Sequence, residues 1–475
     1  MRLNHFGALA VSMVVCVSST AIAQDYPTDT LTLSLDQCIA IALDKNPTIK
    51  VADMEIKRVD YSKKETIGQL LPTIDFGVTY NRTIEKQTMY MDMGSLSKGS
   101  TSSDESTTES TETSTSSGAT GIKMGRDNSW STGFSASVPL IAPQLWKTLK
   151  LSDSQILQNI ESARASRLSL INQVKSAYYA LLLAIDSRNV IQDSYDNAVF
   201  NAEVYEKKYK VGAASEYDVL RTQVAIKNTE PELLQADISI KQARLQLAIL
   251  MGMDVAIPIN PTTKLADYEK DMYGNTLAID RSIDSNTDLR MLDLQTRSLK
   301  DALAVQKMSL LPTLALTFNY NWTSMSNGNA LRNFRWTPYS ILGLTLNIPI
   351  FSGGQKYNRI KQADIQVKEM TWQRENLERS VRMQVDLAID NIEMNVKQIA
   401  SNAESVAQAD KAHDIMERSF EIGAASYLDL RDSQLALTRA RLAYYSAIYN
   451  YLIANSELEL LLGNADIKKY ESLNQ

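Results

Sequence analysis

Cysteine and histidine are scarce, with two of each among 475 residues. Cys16 lies in an N-terminal apolar run, so Cys38 is the one cysteine expected in the mature protein, and no intramolecular disulfide can form there. His413 is likewise the one histidine outside that N-terminal segment. No metal-ligand spacing, glycine-rich phosphate loop or Ser-His-Asp set can be assembled from the remaining residues. We therefore expect no enzymatic activity, no bound metal and no cofactor.

Proline and glycine are also few, at 11 and 18 residues, which favours long uninterrupted elements. The formal net charge of -6 gives no basic surface for nucleic acid, which excludes nucleic acid as a partner. After the N-terminal run, no segment reaches the roughly 18 consecutive apolar residues of a transmembrane helix. The hydrophobic fraction of 44% is nevertheless that of a well-folded protein.

The N-terminus has the pattern of a secretory signal. Arg2 and His5 precede an apolar run, and Ala21-Ile22-Ala23 offers a small-x-small cleavage site, which predicts a signal peptide over residues 1–23. Cys16 follows Val15, where a lipidated cysteine needs a small residue, so a lipid anchor is not favoured. An exported protein without a transmembrane helix is either soluble or a β-barrel.

Two halves of the chain resemble each other. Leu71-Pro72-Thr73 matches Leu311-Pro312-Thr313, and the pairs Gly212 with Gly423 and Gly252 with Gly463 have the same offset of 211 residues. Matched motifs in the same order indicate a duplication. The predicted domains are a first repeat over 24–254, an equatorial linker over 255–281, a second repeat over 282–464 and a C-terminal tail over 465–475.

Each repeat contains two segments in which apolar residues alternate with small or polar ones. In the first, Ile74, Phe76, Val78 and Tyr80 share one face. Their length of about ten residues suits a transmembrane β-strand, although a soluble sandwich sheet with one buried face alternates identically. If the strands cross a membrane, several chains must share one barrel, because a barrel needs about eight strands. The predicted strands cover about 73–81, 130–139, 313–322 and 339–349.

Between the first two strands lies a Ser- and Thr-rich insert, which we predict to be a disordered extracellular loop over about 92–127. Two further segments, about 146–210 and 357–421, have almost no glycine or proline and carry apolar residues at three- and four-residue spacing. They predict helices on the order of 100 Å long that pack as coiled-coil-like hairpins. The fold class is therefore mainly α with four β-strands per chain, which contribute to a shared membrane β-barrel if they cross a membrane and form a soluble sheet if they do not.

The hairpin tips are predicted at 211–218 and 422–432. Gly212 and Gly423 supply the left-handed residue that ends a helix. Ser215 with Asp218, and Ser426 with Asp429, have the spacing of a capping box that starts the next helix. Capping does not require Asp432.

The second tip, Gly-Ala-Ala-Ser-Tyr-Leu-Asp-Leu-Arg-Asp over 423–432, resembles the TolC family of outer-membrane efflux proteins, and so do the Leu-Pro-Thr strand openings and Leu462-Gly463. The resemblance implies a homotrimer whose twelve strands form one barrel in the lipid of the Gram-negative outer membrane and whose helices form a periplasmic tunnel. It implies an exit duct for efflux or type I secretion, coupled through a membrane-fusion adaptor to an inner-membrane RND or ABC transporter.

The resemblance also assigns roles at the tips. Asp429 and Asp432 match an acidic pair that lines the channel entrance. Residues of both turns match the region that meets the adaptor, namely Gly212, Ala213, Ala214, Ser215, Asp218, Gly423, Ala424, Ala425 and Ser426. The family closes this entrance with an arginine and a tyrosine paired to the first tip, but this chain has Ala425 and Phe420 at those positions. The alternative function is a soluble periplasmic coiled-coil scaffold or adaptor.

Overall fold

The computed structural model describes residues 31–91, 120–254, 258–269, 272, 281–327 and 335–472. The predicted signal peptide, including Cys16, lies outside the described residues, as do residues 92–119 of the predicted loop. Two compact units divide the chain. Unit 1 consists of Met1–Lys50, Ser166–Ser285 and Arg382–Gln475, and unit 2 consists of Val51–Ala165 and Asn286–Val381. Each unit therefore combines segments from both predicted repeats.

Helices account for most of the described residues. Their bounds in chain order are α1 Leu35–Lys45, α2 Pro47–Gly68, α3 Pro143–Lys210, α4 Glu216–Leu250, α5 Thr287–Met308, α6 Gln355–Glu421, α7 Tyr427–Leu462 and α8 Ile467–Glu471. The two long helices that the sequence predicts are α3, of 68 residues, and α6, of 67 residues. By length and composition α3 alone among the described helices could cross a membrane, and half of its most apolar window is buried inside the protein.

The strands of the described residues form three sheets. Their bounds are β1 Leu31–Leu33, β2 Thr73–Arg82, β3 Thr88–Met91, β4 Thr120–Lys123, β5 Asn128–Ile141, β6 Ile259–Pro261, β7 Thr313–Ser326 and β8 Thr337–Asn347. The largest sheet lies in unit 2, is antiparallel throughout and has the order β2-β5-β7-β8. Two-stranded pairs join β3 to β4 and β1 to β6.

Proline sets two details of the large sheet. The sequence predicts the last strand over about 339–349, but β8 ends at Asn347. Pro349 has no N–H to donate to a ladder and restricts Ile348, which explains the earlier end. In β5, Pro139 lies inside the strand, and the register with β7 shifts between Pro139 and Ile141. A proline within a sheet is tolerated at such an irregularity.

Unit 1 is built around a buried apolar core at the start of the chain and the middle of the long helices. Cys38, Val174, Tyr178 and Leu247 are completely buried there. The Tyr178 hydroxyl donates to the carbonyl of Leu33 at 3.3 Å, which ties α3 to β1. Ser34 caps α1 with a full capping box, so the helix begins directly after this strand.

Three segments contain more structure than the sequence predicts. Residues 120–123 of the predicted disordered loop form β4, which pairs with β3. Within the predicted equatorial linker, β6 pairs in parallel with β1, and Leu265–Tyr268 forms a 3-10 helix. The predicted tail forms α8, where Tyr470 is buried and Lys469 pairs with Asp36 at 3.2 Å. In each case a partner distant in sequence orders a segment whose own composition is not that of a long element.

Candidate functional site

Each hairpin tip begins with a glycine that ends the incoming helix. Gly212 has a φ of 73°, and the N–H of Ala213 donates to the carbonyl of Lys208 at 2.8 Å. Gly423 has a φ of 77°, and the N–H of Ala424 donates to the carbonyl of Ser419 at 2.7 Å. These six-to-one bonds define Schellman motifs, in which only glycine adopts the left-handed conformation without strain. Both helix ends therefore have the chemistry that the sequence predicts.

Each tip ends with the predicted capping box. Ser215 Oγ accepts from the N–H of Asp218 at 3.2 Å, and the N–H and Oγ of Ser215 donate to the Asp218 carboxylate at 3.2 and 2.7 Å. Ser426 and Asp429 repeat the arrangement, at 3.3 Å for the serine acceptor and 3.2 and 2.7 Å for the two donors. Both boxes satisfy N–H groups that would otherwise be unpaired at a helix start.

The capping bonds affect the acidity of the two carboxyl groups. Hydrogen bonds from the Ser426 side chain and backbone lower the pKa of Asp429, and those from Ser215 lower the pKa of Asp218 in the same way. Asp432 is exposed one turn further along α7, and no hydrogen bond or ion pair of its side chain is found within the described residues. Asp429 is therefore explained by its cap, whereas Asp432 is a carboxylate free for another role.

The tips also expose apolar side chains. Val211 and Ile422, each directly before a turn glycine, are 78% and 82% exposed. Ala213 and Ala424 follow the glycines and are exposed as well. Large apolar residues at the end of a soluble hairpin normally gain by burial, so such a surface is typical of a contact with another protein.

A cluster that the sequence did not predict joins the two hairpins just behind the tips. We call Tyr205, Lys208, Arg221, Phe420 and Tyr427 the tip cluster; it takes residues from α3, α4, α6 and α7. The ring of Tyr205 lies 6.2 Å from that of Phe420 and 5.4 Å from that of Tyr427. Lys208 Nζ lies 4.9 Å from the Phe420 ring centre, and Arg221 Cζ lies 5.5 Å from that of Tyr427. Burial raises the pKa of both tyrosines.

Beyond the tip cluster, a groove of about 400 Å³ separates the hairpins within unit 1. His413 lines it and is half-buried, with Nδ1 3.2 Å from Ser433 Oγ. At the far side of the groove, Arg441 lies 3.4 Å from Asp193 of the other hairpin and 2.8 Å from Asp410. The hairpins are thus joined on both sides of the groove. Among the described residues, no group of three acidic, histidine or cysteine side chains could hold a metal ion.

The second candidate surface is the large sheet of unit 2. Its apolar face is uncovered: Ile74 is 72% exposed, Phe76 59%, Leu342 71% and Leu344 64%. A soluble sandwich sheet would bury this face. Aromatic residues near the strand ends pair across the sheet, with ring centres 4.5 Å apart for Tyr80 and Trp130. Both edge strands, β2 and β8, are exposed along nearly their whole length.

Comparison with known proteins gives a consistent result. The family model described as outer membrane efflux protein matches residues 38–253 and 278–464. The outer membrane protein TolC of Escherichia coli strain K12 is 22% identical over 377 residues, which cover 74% of this chain and 76% of that protein. TolC of Vibrio cholerae is 22% identical over 335 residues, covering 70% and 76%.

Solved structures show the same fold. The Campylobacter jejuni CmeC outer membrane channel has a TM-score of 0.67 at 16% identity, covering 96% of this chain and 93% of that one. CusC has a TM-score of 0.69 at 17% identity, covering 92% and 94%. The family match spans most of the sequence, and both the long helices and the four-stranded sheet lie within it. The chain therefore belongs to the outer membrane efflux protein family and is an outer-membrane efflux channel.

Proposed function

We propose that three copies of this chain form one exit duct, with a shared twelve-stranded barrel in the outer membrane and a helical tunnel in the periplasm. The observation that carries the proposal is the large sheet, which has an uncovered apolar face and two exposed edges. In lipid, every backbone polar group needs a partner, so a spanning sheet must close on itself. Four strands are too few to close, and each edge therefore pairs with an edge of another copy.

The sheet also has a face suited to a water-filled lumen. Opposite the apolar residues, Ser135 is paired with Asn319, and Gly133 with Asn321. Small and polar residues on the inner face with apolar residues on the outer face are the pattern of outer-membrane barrels. The soluble scaffold, which is the alternative function, gives no reason for an uncovered apolar sheet.

The oligomer can be tested in detergent. Native mass spectrometry of the extracted protein is expected to show particles of three copies, and planar bilayers containing it are expected to conduct ions. The substitution of Leu342 and Leu344 by lysine places charges on the apolar face, which cost about 2–4 kcal/mol each near a bilayer centre, and should prevent insertion. Monomeric protein in detergent, or recovery of wild-type protein in the soluble periplasmic fraction, would contradict the proposal.

We propose further that Asp429 and Asp432 form an acidic mouth at the periplasmic entrance. Three copies would bring six carboxylates around one opening, and such a ring attracts cations. The exposure of both residues and the absence of an ion pair at Asp432 in the described chain support this role.

The two aspartates can be separated experimentally because only Asp429 caps a helix. Asp432→Asn is expected to reduce cation selectivity and block by Mg²⁺ in planar bilayers while leaving the tip intact. Asp218→Asn is the control, because it disturbs the equivalent cap of the first tip without removing a charge from the proposed ring. If Asp432→Asn conducts and is blocked like the wild type, Asp432 has no place in the mouth.

We also propose that both turns contact a periplasmic adaptor, which couples the duct to an inner-membrane RND or ABC transporter. The supporting observation is the exposed apolar pair Val211 and Ile422, flanked by the small residues of each turn. Val211→Asp combined with Ile422→Asp should abolish co-purification with the adaptor and leave channel conductance unchanged. Phe351→Asp is a matched control, because Phe351 is 89% exposed but lies in unit 2. Equal adaptor recovery from both variants would contradict this contact surface.

A further inference from the structure

One residue of the tip cluster, Tyr427, lies close in sequence to the acidic pair of α7. Tyr427 is the first residue of that helix, directly after the Ser426 cap and two residues before Asp429. It is 9% exposed, although its neighbours Ser426 and Leu428 are exposed. Because Asp429 and Asp432 lie on the same helix within five residues of Tyr427, a displacement of the helix start moves both carboxylates with it.

Two contacts of the Tyr427 ring come from the first hairpin. Tyr205 of α3 contacts its ring edge to face at 5.4 Å, and Arg221 of α4 lies over it at 5.5 Å. Lys208 lies 5.4 Å from the Tyr205 ring centre, which places a second cation in the same stack. Aromatic pairs and cations over ring faces both favour defined geometries.

The groove begins at the cluster, because Lys208, Phe420 and Tyr427 line it. Between the cluster and the Arg441–Asp193 contact, the facing surfaces of the hairpins are separated by the cavity of about 400 Å³. At the tip end of this cavity, the cluster provides aromatic and cation contacts between the start of α7 and the first hairpin.

We propose that the tip cluster positions the acidic pair of the channel mouth, with Tyr205 and Arg221 of the first hairpin fixing the start of the helix that carries Asp429 and Asp432. This inference rests on the proposed acidic mouth. It assigns Tyr205, Lys208 and Arg221 as positioning residues that touch neither cargo nor cation. Loss of the cluster lets the second tip move away from the first, and the carboxylates of the three copies then lie further apart.

The test compares the variant Tyr205→Ala with two control variants in planar bilayers. Tyr205→Phe keeps the ring stack. Tyr209→Ala removes an exposed ring one helical turn from Tyr205. Tyr209 is also the residue that aligns with Phe420 of the cluster when the two halves are offset by 211 residues. Tyr205→Ala should raise conductance and the half-blocking Mg²⁺ concentration at least about twofold, because carboxylates that are further apart attract a cation less strongly. Tyr205→Phe and Tyr209→Ala should behave like the wild type.

A double-mutant cycle separates positioning from a general structural effect. In the Asp432→Asn background, Tyr205→Ala should change the Mg²⁺ block less than it does in the wild type, because only the Asp429 carboxylates remain to be displaced. If Tyr205→Ala yields no channels, the double variant Lys208→Gln, Arg221→Gln is measured in its place, because it removes both cations of the cluster with little change in side-chain volume. Wild-type conductance and block in whichever variant inserts would overturn the inference.

Different results would refute the proposed acidic mouth and the proposed positioning role of the cluster. If Asp432→Asn alone leaves the Mg²⁺ block unchanged, the acidic mouth itself is wrong. If Asp432→Asn weakens the block while the cluster variants do not, the mouth stands and the positioning role is refuted.

Discussion

Gly133 lies in β5, a central strand of the large sheet, and its backbone approaches β7 unusually closely. A Cβ added at Gly133 would lie 2.2 Å from Asn321 Oδ1, 2.4 Å from the Tyr320 carbonyl oxygen and 2.8 Å from Asn321 Cα. Two of these three atoms belong to the backbone of β7, which is itself paired with β8 and so cannot move alone. Gly133→Ala must therefore shift a strand or distort the ladder.

The expected cost follows from two opposing terms. Overpacking of a well-packed region costs about 1–3 kcal/mol. Replacing a glycine in a strand by alanine returns roughly 0.5–1 kcal/mol, because the unfolded chain loses conformational freedom. Gly77 offers a matched control: it is the register partner of Gly133 on β2, and a Cβ there meets nothing within 4 Å. Gly77→Ala restricts the unfolded chain in the same way but creates no clash. The free energies of unfolding of the two variants should therefore differ by about the cost of overpacking, 1–3 kcal/mol.

Denaturant unfolding in detergent can measure this difference. The protein has five tryptophans, at 130, 146, 322, 336 and 372, and all of them lie in the segments of unit 2. Tryptophan fluorescence therefore follows the unit that contains Gly133, and a shift of the midpoint at constant slope reports the change in stability. Gly133→Ala should unfold at lower denaturant than Gly77→Ala. Coincident midpoints would refute the close approach of β5 and β7.

Three further predictions concern the tips and the core. Ser215→Ala and Ser426→Ala should each destabilise a hairpin by about 1 kcal/mol, seen as faster amide exchange at that tip; equal exchange in the wild type would contradict capping. Because capping lowers the folded-state pKa of Asp218 and Asp429, their contribution to stability is present above the unfolded pKa and is lost as pH falls through the folded value, so the protection of the tip amides, relative to an unfolded chain at the same pH, should fall only in acid. Burial raises the pKa of Cys38 to about 12, so thiol reagents at pH 8 should label it only on unfolding, and rapid labelling of folded protein would contradict its burial.

Features that depend on neighbouring residues were predictable from sequence. The turn at Gly423 and the box of Ser426 with Asp429 use a local code, in which a glycine, a serine and an acid at fixed spacing satisfy specific backbone groups. The strands beginning at Thr73 and Thr313 are also where the alternation of apolar and polar residues predicts them. Each of these signals is complete within about ten residues, so no tertiary information was needed.

Contacts between distant residues were not predictable in this way. Tyr205 and Phe420 come together across more than 200 residues, and nothing in the sequence around either one indicates the other. The parallel pair of β1 and β6 joins Leu31 to Ile259 with only three residues per strand, too short for a periodic signal. The same reason explains why the compact units differ from the predicted repeats: packing partners, rather than sequence similarity, define a compact unit.

The sequences of the two hairpin tips can be aligned, and they differ at one position close to the caps. With the offset of 211 residues, the capping acids Asp218 and Asp429 match, but one turn later Arg221 aligns with Asp432. Arg221 faces the ring of Tyr427, whereas Asp432 is an exposed carboxylate. Capping constrains the serine and the first acid equally in both tips, and it leaves the position one turn further along free to change. Opposite charges at that position let the first hairpin hold the helix whose carboxylates the second hairpin presents.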